Sequence, residues 1–86
     1  IIGLTKQLAF ELGPYGINVN AICPSQTLTD MLLASMDSKQ REDLAESIPL
    51  RRIANIEDQV GPIMFLCSDA ASYITGSVID VNGGQI

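Results

Sequence analysis

The sequence predicts an α/β fold in which parallel strands are joined through helices. Runs of alternating, β-branched character occur twice, at 17–23 (INVNAIC) and at 77–81 (SVIDV). More than fifty residues separate the two runs, and helical patterns fill the gap. A connection of that length suits a right-handed parallel crossover rather than a hairpin. Two parallel strands cannot bury both of their faces, so more sheet is expected outside this stretch.

The first element is an amphipathic helix. Leu4, Leu8 and Leu12 recur at i, i+4 with Ile1 and Ala9 beside them, while Thr5, Lys6, Gln7 and Glu11 take the other positions. Gly13-Pro14 should stop it, the glycine as a left-handed cap and the proline because it cannot continue a helix. The strand at 17–23 then places Ile17, Val19, Ala21 and Cys23 on one face, and Pro24 ends it.

Between 28 and 54 the periodicity weakens. LLASM suits a short helical turn, and KQREDLAESI has helix-forming composition with Leu44, Ala45 and Ile48 on one face, closed by Pro49. A mixture of leucines, methionines and charges without a continuous apolar stripe predicts a flap over a ligand rather than a core element. Asn55 is placed to cap IEDQVGPIMFLCS, with Glu57 and Asp58 in the first turn, where the helix dipole favours anions. Val60, Ile63, Met64 and Cys67 would form its apolar face. Pro62 predicts a kink or a later start. ASYITG reads as a turn, and the second strand ends in Asn82-Gly83-Gly84.

Composition narrows the function classes. The chain has 86 residues, of which 47% are hydrophobic and 17% charged, an interior-rich balance for so small a body. The helical pattern is already running at Ile1 without a preceding cap, which predicts that the element begins upstream and that these residues are the C-terminal piece of a longer chain. A net charge of −5 without a basic stripe argues against nucleic acid as a partner. No apolar run reaches a membrane span and no signal-peptide layout opens the chain, so no membrane and a soluble, cytoplasmic setting are expected. Cys23 and Cys67 lack metal-site spacing and read as reduced, buried thiols, with a disulfide or a metal site as the alternatives. With no histidine, Ser-His-Asp and Cys-His chemistry is excluded from this stretch, and no metal site is expected.

LTKQLAFELGPYGINVNAICP, a threonine five residues after the proline, and then PLRRIANIEDQVGPIMFLCSDAASYITGSVIDVNGG together resemble the C-terminal part of the short-chain dehydrogenase/reductases, of the 3-oxoacyl-carrier-protein reductase and sugar-alcohol dehydrogenase type. The likeness covers nearly the whole chain apart from the flap at about 30–48. It implies that residues 1–86 are the C-terminal fragment of a single NAD(P)-binding, Rossmann-type domain with a doubly wound parallel sheet, in the order helix, strand, flap, helix, strand. It further implies NAD or NADP as cofactor, an alcohol or ketone as substrate, residues 28–54 as the substrate flap, and a homo-oligomer, dimer or tetramer.

In such sheets ligands bind beyond the carboxyl ends of the strands, and Pro24 to Thr29 lies at one of them. By the family pattern the cofactor-binding residues are Pro24, Ser25, Thr27 and Thr29, with the Thr27 backbone meeting the nicotinamide carboxamide and the Thr29 hydroxyl touching the carboxamide or pyrophosphate. A carboxamide needs one donor and one acceptor, which a backbone N–H and C=O supply in fixed geometry, and a nearby charge would bias the ring's redox chemistry. The plainer role for these hydroxyls is to satisfy turn backbone. Ser25 stands where the family has glycine, which bears on how closely the backbone approaches the cofactor.

No catalytic residue is assigned here. The family's catalytic tyrosine has a lysine four residues later, but Tyr15 is followed by Val19 and Tyr73 by Ser77, so that pair is expected upstream of Ile1. Gly83-Gly84 has no third glycine and no following helix, so it is a turn and not a phosphate loop. Asn20 reads as a strand-end amide bonding neighbouring backbone. Asn82 stands where the family has aspartate, and Arg52 matches a frequent family arginine whose plainer role is local pairing. The intact parent is expected to be an oxidoreductase and the 86-residue chain alone inactive. The alternative is a non-catalytic Rossmann-fold protein for binding or assembly, which a missing tyrosine–lysine pair would favour.

Overall fold

The computed structural model describes residues 2–25 and 27–84, so Ile1, Gln26, Gln85 and Ile86 lie outside the described residues. It is α/β: helix α1 (Ile2–Leu12), strand β1 (Ala21–Pro24), helices α2 (Asp30–Ser35), α3 (Ser38–Ser47) and α4 (Ile56–Leu66), and strand β2 (Val78–Val81). β1 and β2 pair in a two-stranded parallel sheet, the crossover that the spacing predicts. Two compact units divide the chain, 1–23 with 61–80 and 24–60 with 81–86.

In the first unit, α1 buries Thr5 and Ala9, whereas Leu4 is 63% exposed. Leu8 and Leu12 are half-buried, so the leucine stripe is only partly covered. The reason is close approach: a Cβ added at Gly76, whose φ is +73°, would sit 3.4 Å from the Ala9 Cβ, and the Lys6 ammonium donates to the Gly76 carbonyl at 2.7 Å. Only small side chains fit under that backbone. The helix also ends differently from the expectation. Gly13–Tyr15 form a 3-10 turn, and the left-handed cap is Gly16 (φ 74°), whose N–H donates to the Gly13 carbonyl at 2.9 Å. Glycine before a proline lacks the Cβ that would clash with the ring, so the chain keeps coiling for one further turn.

The first strand begins at Ala21 rather than at residue 17. Over 18–20 side chains join one backbone bond, from the Gly76 N–H to the Val19 carbonyl at 2.7 Å. The Asn20 amide donates to the Ile74 carbonyl and accepts the Ser77 N–H, both at 3.0 Å, Asn18 donates to the Ser72 carbonyl, and the Thr75 hydroxyl accepts the Val19 N–H. Asn20 thus has the backbone-bonding role expected of it. The residues expected to be covered on α4 are largely open, with Ile63 48% and Met64 65% exposed. Cys23 is half-buried and Cys67 exposed, both as free thiols, which corrects the reading of two buried cysteines. So short a chain has too few elements to cover every apolar face.

The second unit carries α2, α3 and the start of α4. Asp37 and Gln40 form a reciprocal capping box at α3: the carboxylate accepts the Gln40 N–H at 2.7 Å, and the Gln40 carbonyl oxygen accepts the Asp37 N–H at 2.9 Å. Ile48, just past α3, is only 1% exposed, which anchors this segment as core with about 1.5–3 kcal/mol of burial. α4 starts directly at Ile56 and runs through Pro62, so the later start is not found. At its first turn the Asp58 carboxylate accepts the Asn55 N–H at 2.9 Å. Arg51 is the one non-glycine residue with positive φ (60°) among the described residues, at about 1–2 kcal/mol.

Candidate functional site

The turn leaving β1 brings together Pro24, Ser25, Thr27 and Thr29, all within the second unit. Pro24 is the last residue of the strand, and without an N–H it donates nothing to the ladder. The next residue resumes pairing, with the Ser25 N–H donating to the Val81 carbonyl at 3.3 Å. Ser25 lies outside the left-handed region, so this backbone does not require the family's glycine for its φ. Its carbonyl accepts the Thr27 hydroxyl at 3.2 Å, which closes the turn on itself.

Thr27 forms an isolated parallel bridge with Ala54. The bond that makes it runs from the Leu28 N–H to the Ala54 carbonyl, at 2.6 Å. Successive peptide groups of an extended chain point to opposite edges, so the N–H and C=O of Thr27 itself face away from Ala54. One donor and one acceptor thus stand side by side on a half-buried residue, in the pattern that a primary carboxamide matches.

Gln59, which the sequence reading passed over, steadies the turn. Its amide nitrogen lies 3.4 Å from the Thr27 hydroxyl and 3.3 Å from the Val81 carbonyl, and its amide oxygen is buried without a hydrogen-bond partner. A glutamine one turn past Asn55, on the first part of α4, is the only signal the sequence carries for it. The Thr29 hydroxyl caps α2 by accepting the Leu32 N–H at 3.3 Å. Its own proton remains free to donate, so the capping role and a ligand contact are compatible.

Beside Ser25 a cavity of about 140 Å³ is lined by Ala54, Arg52, Asp58, Asn82 and Gly83. Arg52 holds Asp58 through two bonds, at 2.5 and 2.9 Å. That bond from Arg52, followed by the one from the Asn55 N–H, holds the Asp58 carboxyl down to about 2, and the same pair raises the Arg52 guanidinium above its ordinary value. Arg52 is thus locally paired. Asn82 accepts the Gly84 N–H at 3.0 Å, and Gly83 (φ 62°) and Gly84 (φ 91°) complete a turn. Tyr15 is 78% exposed and Tyr73 wholly so. The site can orient a neutral polar group; it holds no acid–base pair among the described residues. No helix among them is long and apolar enough to cross a membrane.

Comparison with known proteins agrees with this fold. The family model described as Enoyl-(Acyl carrier protein) reductase matches residues 1–85. Protein FixR of Bradyrhizobium diazoefficiens is 48% identical over 85 residues, 99% of this chain and 29% of that protein. The 3-oxoacyl-[acyl-carrier-protein] reductase FabG of Aquifex aeolicus is 46% identical over 85 residues, 99% of this chain and 34% of that protein. The chain thus spans about a third of the length of such relatives. Among solved structures, a short-chain type dehydrogenase/reductase from Mycobacterium ulcerans superposes with a TM-score of 0.87 at 41% identity, over 98% of this chain and 31% of that one. YwfH, an NADPH dependent reductase involved in bacilysin biosynthesis, gives a TM-score of 0.87 at 32% identity, over 99% of this chain and 36% of that one. With its fold and its sequence in agreement, the chain belongs to the short-chain dehydrogenase/reductase family.

Proposed function

We infer that these residues are the C-terminal part of an NAD(P)-dependent oxidoreductase that transfers hydride between nicotinamide and an alcohol or ketone. The observation that carries the reading is the outward-facing N–H and C=O of Thr27 at the carboxyl end of β1, within a chain of this family. The nicotinamide supplies the hydride chemistry when bound. Thr27 binds the carboxamide through its backbone, the Thr29 hydroxyl donates to the carboxamide or pyrophosphate, and Pro24 and Ser25 set the turn that aims them. Gln59 keeps Thr27 in place. Neutral hydroxyls orient the ring without adding charge beside it.

Residues 28–54 serve as the substrate flap, with α2 and α3 as its two helices. The acid–base pair comes from the part of the domain that precedes these residues, and the 86-residue chain alone is inactive. The first helix, with Phe10 83% exposed, and the last strand fit packing against other subunits of a dimer or tetramer. Two free thiols suit the reducing cytoplasm.

The test uses the full-length protein with NADH or NADPH and a panel of ketones. Oxidation of the reduced cofactor that depends on a ketone is expected. Tight cofactor binding without turnover on any of them would instead favour a binding or assembly role.

A further inference from the structure

The strongest feature outside the turn is an open cavity of about 450 Å³ in the second unit, walled by Leu28, Leu33, Ala45 and Ile53 and rimmed by Arg41 and Arg51. Its volume lies in the range of small-molecule sites. The two guanidiniums are unusual in a chain of net charge −5 that has only five basic residues. Arg52, also on the rim, is occupied by Asp58, and Glu42 is the one acidic side chain in the lining. Among the described residues neither Arg41 nor Arg51 forms an ion pair, the two pairs being Lys39–Asp43 and Arg52–Asp58. Arg41 reaches the Ser38 hydroxyl and Arg51 the Glu46 carbonyl, contacts that leave most of their donors open.

A second, independent observation concerns the Arg51 backbone. Its φ of 60° lies in the left-handed region, where glycine rests without strain and arginine does not. An outlier of this kind points to a role for the side chain it carries. Leu28, on the cavity wall, is the neighbour of Thr27.

We propose that this cavity is the substrate's anion subsite: it takes an apolar body ending in a carboxylate or phosphate, with Arg41 and Arg51 on the oxyanion and Leu28, Leu33, Ala45 and Ile53 around the hydrocarbon. The proposal rests on the oxidoreductase reading for the word substrate, but not for the binding itself. Planar guanidiniums match the two oxygens of such a group, and the apolar walls lie beside the hydrocarbon.

The experiment is calorimetric binding of octanoate and of octanamide to the full-length protein, so its readout does not depend on hydride transfer. Octanoate should bind at least tenfold more tightly than octanamide, and added salt should shrink the difference. Octanoate and octyl phosphate compared side by side show which oxyanion is preferred. Arg51→Gly should reduce the discrimination to about twofold while the melting temperature stays level or rises, because glycine relieves the strained backbone. Arg41→Gln should reduce the discrimination without touching that backbone. Equal binding of the acid and the amide, no binding of octanoate, or full discrimination in both variants would overturn the proposal. A protein that discriminates as expected yet oxidises no reduced nicotinamide with any ketone would leave the anion subsite standing and remove the oxidoreductase reading.

Discussion

Gly83 offers the sharpest test of how the segment around Ile48 is packed. At φ +62°, an alanine there pays about 1–2 kcal/mol for a left-handed backbone. Its new Cβ would also lie 2.8 Å from Cγ2 of Ile48, a distance that real carbon pairs do not sustain. Ile48 is 1% exposed and has nowhere to retreat, so overpacking adds about 1–3 kcal/mol. Together the loss is about 2–5 kcal/mol for Gly83→Ala. The shift also strains the bond from the Leu50 N–H to the Gly83 carbonyl, now 3.1 Å, which ties the end of the flap to the end of β2. Urea denaturation of the full-length protein measures the loss, with Gly61→Ala as the control of opposite sign. No atom lies within 4 Å of a Cβ added at Gly61 inside α4, so alanine should stabilise by about 0.5–1 kcal/mol. A Gly83→Ala variant within about 1 kcal/mol of wild type would refute the packing argument.

Two further predictions follow the same logic. Asp58 has its folded-state pKa lowered to about 2, against an unfolded value of roughly 3.9. The pair with Arg52 therefore contributes fully above about pH 5 and fades as the pH falls through 4 towards 2. The melting-temperature gap between wild type and Asp58→Asn should accordingly be widest near neutrality and close below pH 3, and a gap that grows in acid would contradict the assignment. Thr29→Val removes the cap of α2, at about 1 kcal/mol, and also deletes a donor, so both stability and cofactor affinity should fall while Thr29→Ser keeps both. If Thr29→Val loses stability but binds cofactor like wild type, the hydroxyl is a helix cap and nothing more.

Local chemistry made much of this fold legible. The alternation of SVIDV, the separation of the strands and the acidic first turn of IEDQ each correspond to an element at the expected place. The Asp37-x-x-Gln40 spacing carries the capping box in full view. What stayed hidden depends on contacts between distant segments. Asn18 and Asn20 look like strand residues, yet their amides bond 72–77, which no alternation pattern reveals. Ala9 is buried more deeply than the leucine stripe because a glycine sixty-seven positions beyond it comes close to it. Ile48 looked like one side of a flap helix but is the largest fully buried side chain among the described residues. At the site, the proline that closes the first strand was readable, whereas Gln59 and the left-handed Arg51 were not, because orientation and φ follow from tertiary structure and not from composition.

The most direct measurement replaces the Thr27 peptide N–H with an ester oxygen, using the α-hydroxy analogue of threonine in the full-length protein. The fold does not use that N–H in the bridge to Ala54, so the melting temperature should stay level. Loss of one hydrogen bond of about 0.5–1.5 kcal/mol should raise the nicotinamide dissociation constant roughly two- to tenfold. An unchanged dissociation constant would contradict the assignment of this turn to the carboxamide.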